Sequence, residues 1–321
     1  MTFPRSLGAL VACALFTTMA FAQNFPSKPV RIVVPFGAGG VADVTARVVA
    51  QKMGEALGQA VVIENKPGAG GIVAGDTVAK ADPDGHTLLL MSNATAVSES
   101  LFKSLPFKTS QDFVPVSTLG YFDLAVVTAA NSRFKTFGDL LAYAKAHPGK
   151  LNLGSINVGS TQNLTAELFK STAGVDVQII PFNGTPAVVT ALRGGQIDAA
   201  VEIVAPVLTQ IQSKALRALA VTSDKRAAVL PDVPTTREAG LPGYVARSWN
   251  ALAAPARTPA PVIARLNQEI VAALNAPDVR KKLHDLNVDA QSSTPQEASA
   301  LLAAEIKRWG DVIKTAQIPV Q

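Results

Sequence analysis

Along the chain, short β-branched apolar runs alternate with longer stretches of helical spacing, the pattern of an α/β fold. Val30 to Phe36 reads as a buried strand that runs straight into Gly37-Ala38-Gly39-Gly40, and a helical period follows through Val44, Val48 and Met53. Further strands are predicted at Ala60 to Glu64 and Thr87 to Ser92, with a helix near Ile72 to Lys80 and a turn at Asp82-Pro83-Asp84-Gly85 between them. Two more are expected near Val114 to Thr118 and Leu124 to Thr128. A helix near Phe137 to Ala146 then ends at His147-Pro148-Gly149.

The same logic returns further on. Leu151 to Ile156 reads as a strand, Asn157-Val158-Gly159-Ser160-Thr161 as a small-residue turn, and Thr161 to Thr172 as a helix. Val177 to Phe182, Ile197 to Ile203 and Leu216 to Thr222 are three more strands with helices between them, and after the stretch Val245 to Ala253 two or three helices are expected. In the tail, Val262, Leu266, Ile270 and Leu274 share one helix face, and Leu302, Ile306, Trp309 and Ile313 share another. Thr294-Pro295-Gln296-Glu297 opens that last helix as a capping box. Two α/β units separated by over a hundred residues predict two lobes rather than one sheet. The expected division is residues 23–125 plus 249–321 for the first lobe and 126–248 for the second, with crossovers near 126 and 248.

Of 321 residues, 48% are apolar and 17% charged, which excludes a disordered chain and a small disulfide-stapled scaffold. The net charge of +5 is mild, Lys and Arg are scattered, and three Tyr and two Trp make no stacking platform. No nucleic-acid partner is expected; the basic balance reads as a weak attraction for anions. Met1 to Ala22 carries one Arg, an apolar run from Leu7 to Ala20 and the small-x-small triplet Ala20-Phe21-Ala22, which reads as an export signal removed before Gln23. The apolar run is shorter than the ~20 residues a membrane anchor needs. Leu10-Val11-Ala12-Cys13 offers a competing lipoprotein box, though it lies close to the start. Cys13 is the single cysteine, so cleavage at Ala22 would remove disulfides, thiolate metal sites and a Cys nucleophile together. No cofactor and no metal site are expected.

Three histidines offer little for nucleophilic catalysis. His86 is expected to face solvent in its turn, His147 to complement a helix end, and His284 to lie on a Lys-rich helix. Asp198 and Glu202, four apart on a strand, point the same way; they are either an acid/base couple or the polar face of an alternating strand. Asp43 and Arg47 are spaced as an intrahelical pair. The stronger signal is Gly37-Ala38-Gly39-Gly40, which ends a strand and opens a helix and so leaves backbone N–H groups turned outward as an anion site. No Gly-Lys-Ser/Thr follows, and the third spaced glycine of a dinucleotide site is missing. Gly159-Ser160-Thr161-Gln162 is the same element in the second lobe, with hydroxyls and an amide added.

Pro26 to Phe36 followed by Gly39-Gly40-x-x-Asp43-x-x-x-Arg47 resembles the opening of the substrate-binding proteins of tripartite tricarboxylate transporters, the Bug family. The likeness continues through Glu64 to Gly71, Asp82 to Thr87, Gly159 to Gln162, Gly194 to Asp198 and Leu216 to Ser223, covering essentially the whole exported chain. The resemblance implies a periplasmic, two-lobed Venus-flytrap fold, an α/β protein with a sheet flanked by helices in each lobe. It further implies a non-catalytic receptor, a monomer, that closes on a small organic carboxylate and delivers it to membrane permease subunits. Matching the family's motifs residue by residue, it places Phe36, Gly39 and Gly40 on one side of the ligand, and Ser160, Thr161, Gln162 and Asn163 on the other. Ser92, Asn93, Asn183 and Gly184 match positions at the pocket edge.

The chain departs from the family pattern at Gly37-Ala38, where many members carry Pro, at Asn163, where many carry His, and at Glu202-Ile203, where Asp followed by Asn is common. If Glu202 faces the cleft, it disfavours a second ligand carboxylate unless a proton or a cation intervenes. Two other roles stay open on sequence alone: a ligand-sensing partner of a membrane sensor kinase, and an exported enzyme on the same architecture.

Overall fold

The computed structural model describes residues 25–315 and 317–320; the export-signal expectation for residues 1–22 lies outside them. The first half runs β1 (Val30–Val34), α1 (Val41–Leu57), β2 (Val61–Asn65), α2 (Ile72–Ala79), β3 (Thr87–Ser92), α3 (Asn93–Leu101), α4 (Thr109–Asp112) and β4 (Phe113–Ala129). There follow α5 (Phe137–Ala146), β5 (Asn152–Ile156), α6 (Thr161–Ala173), β6 (Gln178–Phe182), α7 (Thr185–Arg193), β7 (Ala199–Ile203), α8 (Val204–Gln212) and β8 (Leu216–Val221). The chain ends with β9 (Arg247–Pro255), α9 (Ala260–Asn275), α10 (Pro277–Asp285), β10 (Val288–Asp289) and α11 (Pro295–Thr315).

The strands form one hydrogen-bonded path in the order β2-β1-β3-β9-β4-β7-β5-β6, with β8 and β10 also on β4. In the first lobe β1 is parallel to β2 and β3, while β9 lies antiparallel between β3 and β4. In the second, β5 is parallel to β6 and β7, and β4 is antiparallel to β7 and β8. One strand where two were expected explains why the sheets join. β4 runs unbroken through 17 residues, absorbing two register shifts next to Ser117 and Gly120, and changes partners between Asp123 and Leu124. Up to Asp123 it pairs with β9; from Leu124 it pairs with β7, and from Ala125 with β8. The return lies beside it, where the Ala246 N–H donates to the Thr222 carbonyl at 2.9 Å and Arg247 pairs with Asp123.

The apolar periodicity is spent on covering this sheet. Val262, Leu266, Ile270 and Leu274 of α9 are buried in a core that also holds β1, α1 and Phe122 of β4. Leu302 of α11 packs on the opposite face with Met91, Trp249 and Ala251. Farther along, Trp309 and Ile313 meet Val97 and Leu101 of α3 and Leu164 of α6, so α11 belongs to both lobes. The expected box at its start forms: Glu297 accepts from the Thr294 N–H at 2.8 Å, and the Glu297 N–H donates to the Thr294 hydroxyl.

Candidate functional site

Parallel strands carry their helix-opening loops at one edge, and ligands in such sheets bind beyond the carboxyl ends of the strands. At that edge of the first lobe lie Phe36 and Gly37-Ala38-Gly39-Gly40 after β1, the loop after β2, and Ser92 and Asn93 after β3. At the matching edge of the second lie Asn157 to Ser160 after β5, Asn183 and Gly184 after β6, and Glu202 as the penultimate residue of β7.

The first glycine loop is exposed and held from below. Gly39 takes φ +81°, a left-handed turn that favours glycine, and Gly40 caps α1 without a side-chain bond. Asp43, in the first turn of α1 and almost fully buried, accepts from the Gly39 N–H at 2.9 Å, from Arg47 Nε at 3.0 Å and from Asn65 Nδ2 at 2.8 Å. Asn65 also donates to the Phe36 carbonyl at 3.0 Å and accepts from Arg47. Burial pushes the Asp43 carboxyl up, but the bonds from Arg47, Gly39 and Asn65 outweigh it and hold the group below its ordinary value. The Asp43–Arg47 pair is therefore more than a helix-surface contact. Nothing near Asn65 in the sequence marks this role, because its partners lie 18, 22 and 29 residues away.

Beside the loop, Ser92 caps α3 in a capping box with Thr95. Asn93 is fully buried; its Nδ2 donates to the Arg247 carbonyl at 3.1 Å and its Oδ1 has no partner among the described residues.

In the second lobe Ser160 caps α6, its hydroxyl accepting from the Asn163 N–H at 3.1 Å. Asn163 turns back to accept from the Gly159 N–H and to donate to the Ser155 hydroxyl, fastening the turn as Asp43 fastens the first. Thr161, Gln162 and Asn163 are buried. Glu202 is fully buried; Thr185 at the start of α7 donates to its Oε2 at 2.9 Å, while Oε1 has no partner among the described residues. Desolvation lifts its carboxyl to about 7 against the bond from Thr185 and the weaker opposing pull of the neighbouring Gln162 amide and Ile203 backbone. Asn183 is exposed, and Gly184 caps α7 at φ 90°.

Two contacts bring the lobes together at this edge. The hydroxyls of Thr161 and Ser248 lie 3.1 Å apart, and Ser248 is two residues along β9 from Asn250, which pairs with Ser92. A Cβ built on Gly159 would stand 2.5 Å from Leu101 Cδ2, so the second-lobe turn lies directly against α3 of the first.

Other expectations are corrected. Asp198 and Glu202 do not form a couple: Asp198 binds Arg133 at 3.0 Å and the Asn152 N–H, whereas Glu202 turns to Thr185. His86 is buried rather than solvent-facing; Phe25 covers its ring at 4.9 Å and Ser27 donates to its Nε2, because the segment before β1 folds over the turn. His147 and His284 are exposed on separate helix ends. Trp249, the neighbour of Ser248 on β9, is buried with Met91 and Ala251 in the core. Among the described residues no group of His, Cys, Asp and Glu is arranged to hold a metal, and no helix is long and apolar enough to cross a membrane.

A model described as "Tripartite tricarboxylate transporter family receptor" matches residues 45–318. The chain is 37% identical to BugT of Bordetella pertussis, over 96% of this chain and 95% of that protein. It also resembles two solved structures. One is Rpa4515 of R. palustris with adipate, with a TM-score of 0.84 at 31% identity, covering 91% of this chain and 98% of that one. The other is MatC from Rhodopseudomonas palustris with bound malate, with a TM-score of 0.81 at 35% identity, covering 90% of this chain and all of that one.

Proposed function

The chain belongs to the family of tripartite tricarboxylate transporter receptors, and from that premise we propose that it captures a small organic carboxylate between the two glycine turns and hands it to membrane permease subunits. It is a solute-binding receptor, not an enzyme. The observation that supports the reading is the Thr161–Ser248 contact, which ties the opening of α6 to the strand that pairs with Ser92. Gly40 opens α1 and Ser160 opens α6, and the Thr161–Ser248 contact draws the second toward Ser92 and Asn93. Unpaired N–H groups and the positive ends of both helices then favour a carboxylate, all the more as closure removes water.

Phe36, Gly40, Ser92 and Asn93 are the contacts proposed on one side, and Ser160 to Asn163 with Asn183 and Gly184 those on the other. Gly39 acts through its bond to Asp43. The neighbours bound to malate and adipate support an aliphatic dicarboxylate as the first class to test. Export to the periplasm by the segment 1–22, and action as a monomer, complete the reading.

The test is a thermal-shift and calorimetric panel of aliphatic dicarboxylates, tricarboxylates, aromatic acids and acidic amino acids at pH 6.5. A ligand at a hundred times its Kd stabilises by about 2.7 kcal/mol, a plain rise in Tm. A panel in which no acid raises Tm defeats the proposal.

A further inference from the structure

Glu202 is a buried carboxyl with one oxygen engaged and the other idle. Oε2 accepts from Thr185; Oε1 is sealed from solvent and has no hydrogen-bond partner among the described residues. Among the described residues no cation stands against it. On β4 Asp123 is bound to Arg247, and at the approach to β7 Asp198 is bound to Arg133. On α6 Lys170 pairs with Asp176, and Glu167 stands with its carboxyl raised chiefly by burial. Arg193 lies in the last turn of α7, at the far end from Thr185, and β5 and α8 carry no charged side chain. A carboxyl so placed favours its neutral form, and a neutral carboxyl has an O–H that needs an acceptor. The group beside it that supplies one is the Gln162 amide, whose oxygen and nitrogen exchange places by a half-turn.

Resting on the carboxylate-receptor reading, we propose that Glu202 is a positioning residue that sets which face of Gln162 the cleft presents. The neutral acid donates to the Gln162 oxygen and turns the amide –NH2 toward the ligand carboxylate; the ionised form takes the –NH2 for itself and turns the oxygen out. Capture of a carboxylate then takes up a proton at Glu202, and its loss favours release. Burial that places the carboxyl near 7 puts this change within the ordinary range of an exported protein.

The probes are succinate, malate and adipate, which stay doubly ionised above pH 6.5, so the ligand's own titration drops out. With the full exported chain, affinity for whichever binds falls at least about tenfold between pH 6.5 and 8.5. At pH 7.5, binding enthalpies in phosphate and in Tris differ by a measurable fraction of a proton taken up. Glu202→Gln, which does not titrate, flattens the pH profile, and the buffer comparison on the unaltered chain needs no variant at all. A flat profile with no proton exchange, proton release on binding, or a Glu202→Gln profile that still falls overturns the proposal while leaving the receptor reading intact. Failure of all three probes at pH 6.5 overturns the dicarboxylate inference here. Only failure of the wider acid panel removes the receptor reading as well.

Discussion

The carboxylate of Asp43 accepts the Gly39 N–H at 2.9 Å, so one amide of the first glycine turn is spent inside the lobe before any ligand arrives. The helix-opening donors without an intrahelical partner are those of Gly40 to Asp43, since the first helical bond runs from the Val44 N–H to the Gly40 carbonyl. Asp43 thus fastens the first glycine turn, and in the proposed reading it shapes the anion site without touching the ligand.

Asp43→Ala removes the acceptor for Gly39, Arg47 and Asn65 together. The expected loss is about 2 to 3 kcal/mol in urea denaturation, with at least a tenfold loss in affinity for the ligand. Because the folded-state carboxyl titrates below its ordinary value of 3.8, its contribution is present above that pH and is lost as the pH drops through the lower value. The variant and the parent chain should therefore converge in stability in acid.

Glu202 has the opposite sign. Its folded-state value is raised from 4.5 to about 7, so its neutral form stabilises the fold below 4.5 and that contribution is lost as the pH rises through about 7. The full difference is about 3 kcal/mol. Differential scanning at pH 5 and pH 8 should show Glu202→Gln gaining several degrees over the parent chain at the higher pH. An unchanged gap between the two pH values would mean that Glu202 is ionised in the folded chain at both.

At Gly159 the φ of +82° and the Leu101 side chain act together against any Cβ. Gly159→Ala should cost about 2 to 3 kcal/mol in the parent chain. In a Leu101→Ala background the same change should cost about 1 kcal/mol less, since the clash goes and only the backbone strain stays. A double-mutant cycle by urea denaturation measures the difference; additive losses would show that the second-lobe turn does not press on α3.

Trp309 is fully buried and its indole N–H donates to Glu305 Oε2 at 2.7 Å, inside the cluster that joins α11 to both lobes. Trp309→Phe keeps most of the apolar surface but leaves a buried carboxylate oxygen short of its donor. The expected loss is about 1 to 3 kcal/mol, read in denaturation followed by circular dichroism.

Much of the fold was legible along the chain. Thr87 to Ser92 and Phe137 to Ala146 sit where the pattern put them, because each is bounded by its own local signals: a turn at Asp84-Gly85 before the strand, a capping Thr136 and a His147-Pro148 stop around the helix. The helix Asn93–Leu101 has no local start signal set apart from the strand, since Ser92 ends one and caps the other, and its short apolar face of Ala94, Val97 and Leu101 is interleaved with buried Asn93, Thr95 and Ser98. The gap expected between the strands Val114 to Thr118 and Leu124 to Thr128 is absent. Gly120 falls within it, and its lack of a side chain is what lets Asp289 and Val288 of β10 pack against the strand.

Residue order by itself determined the α/β alternation, the two glycine turns that open helices, and the family those motifs belong to, since all of these are carried by neighbours within a turn or a strand. Tertiary structure alone decided that Asp43 and Asn65 clamp the first turn from 22 residues apart, that Thr161 meets Ser248, and that Glu202 is closed in with one oxygen idle. Those relationships depend on which strands lie side by side and how deeply each side chain is removed from water. Pairing order and burial are properties of the assembled sheet, not of any stretch of chain taken alone.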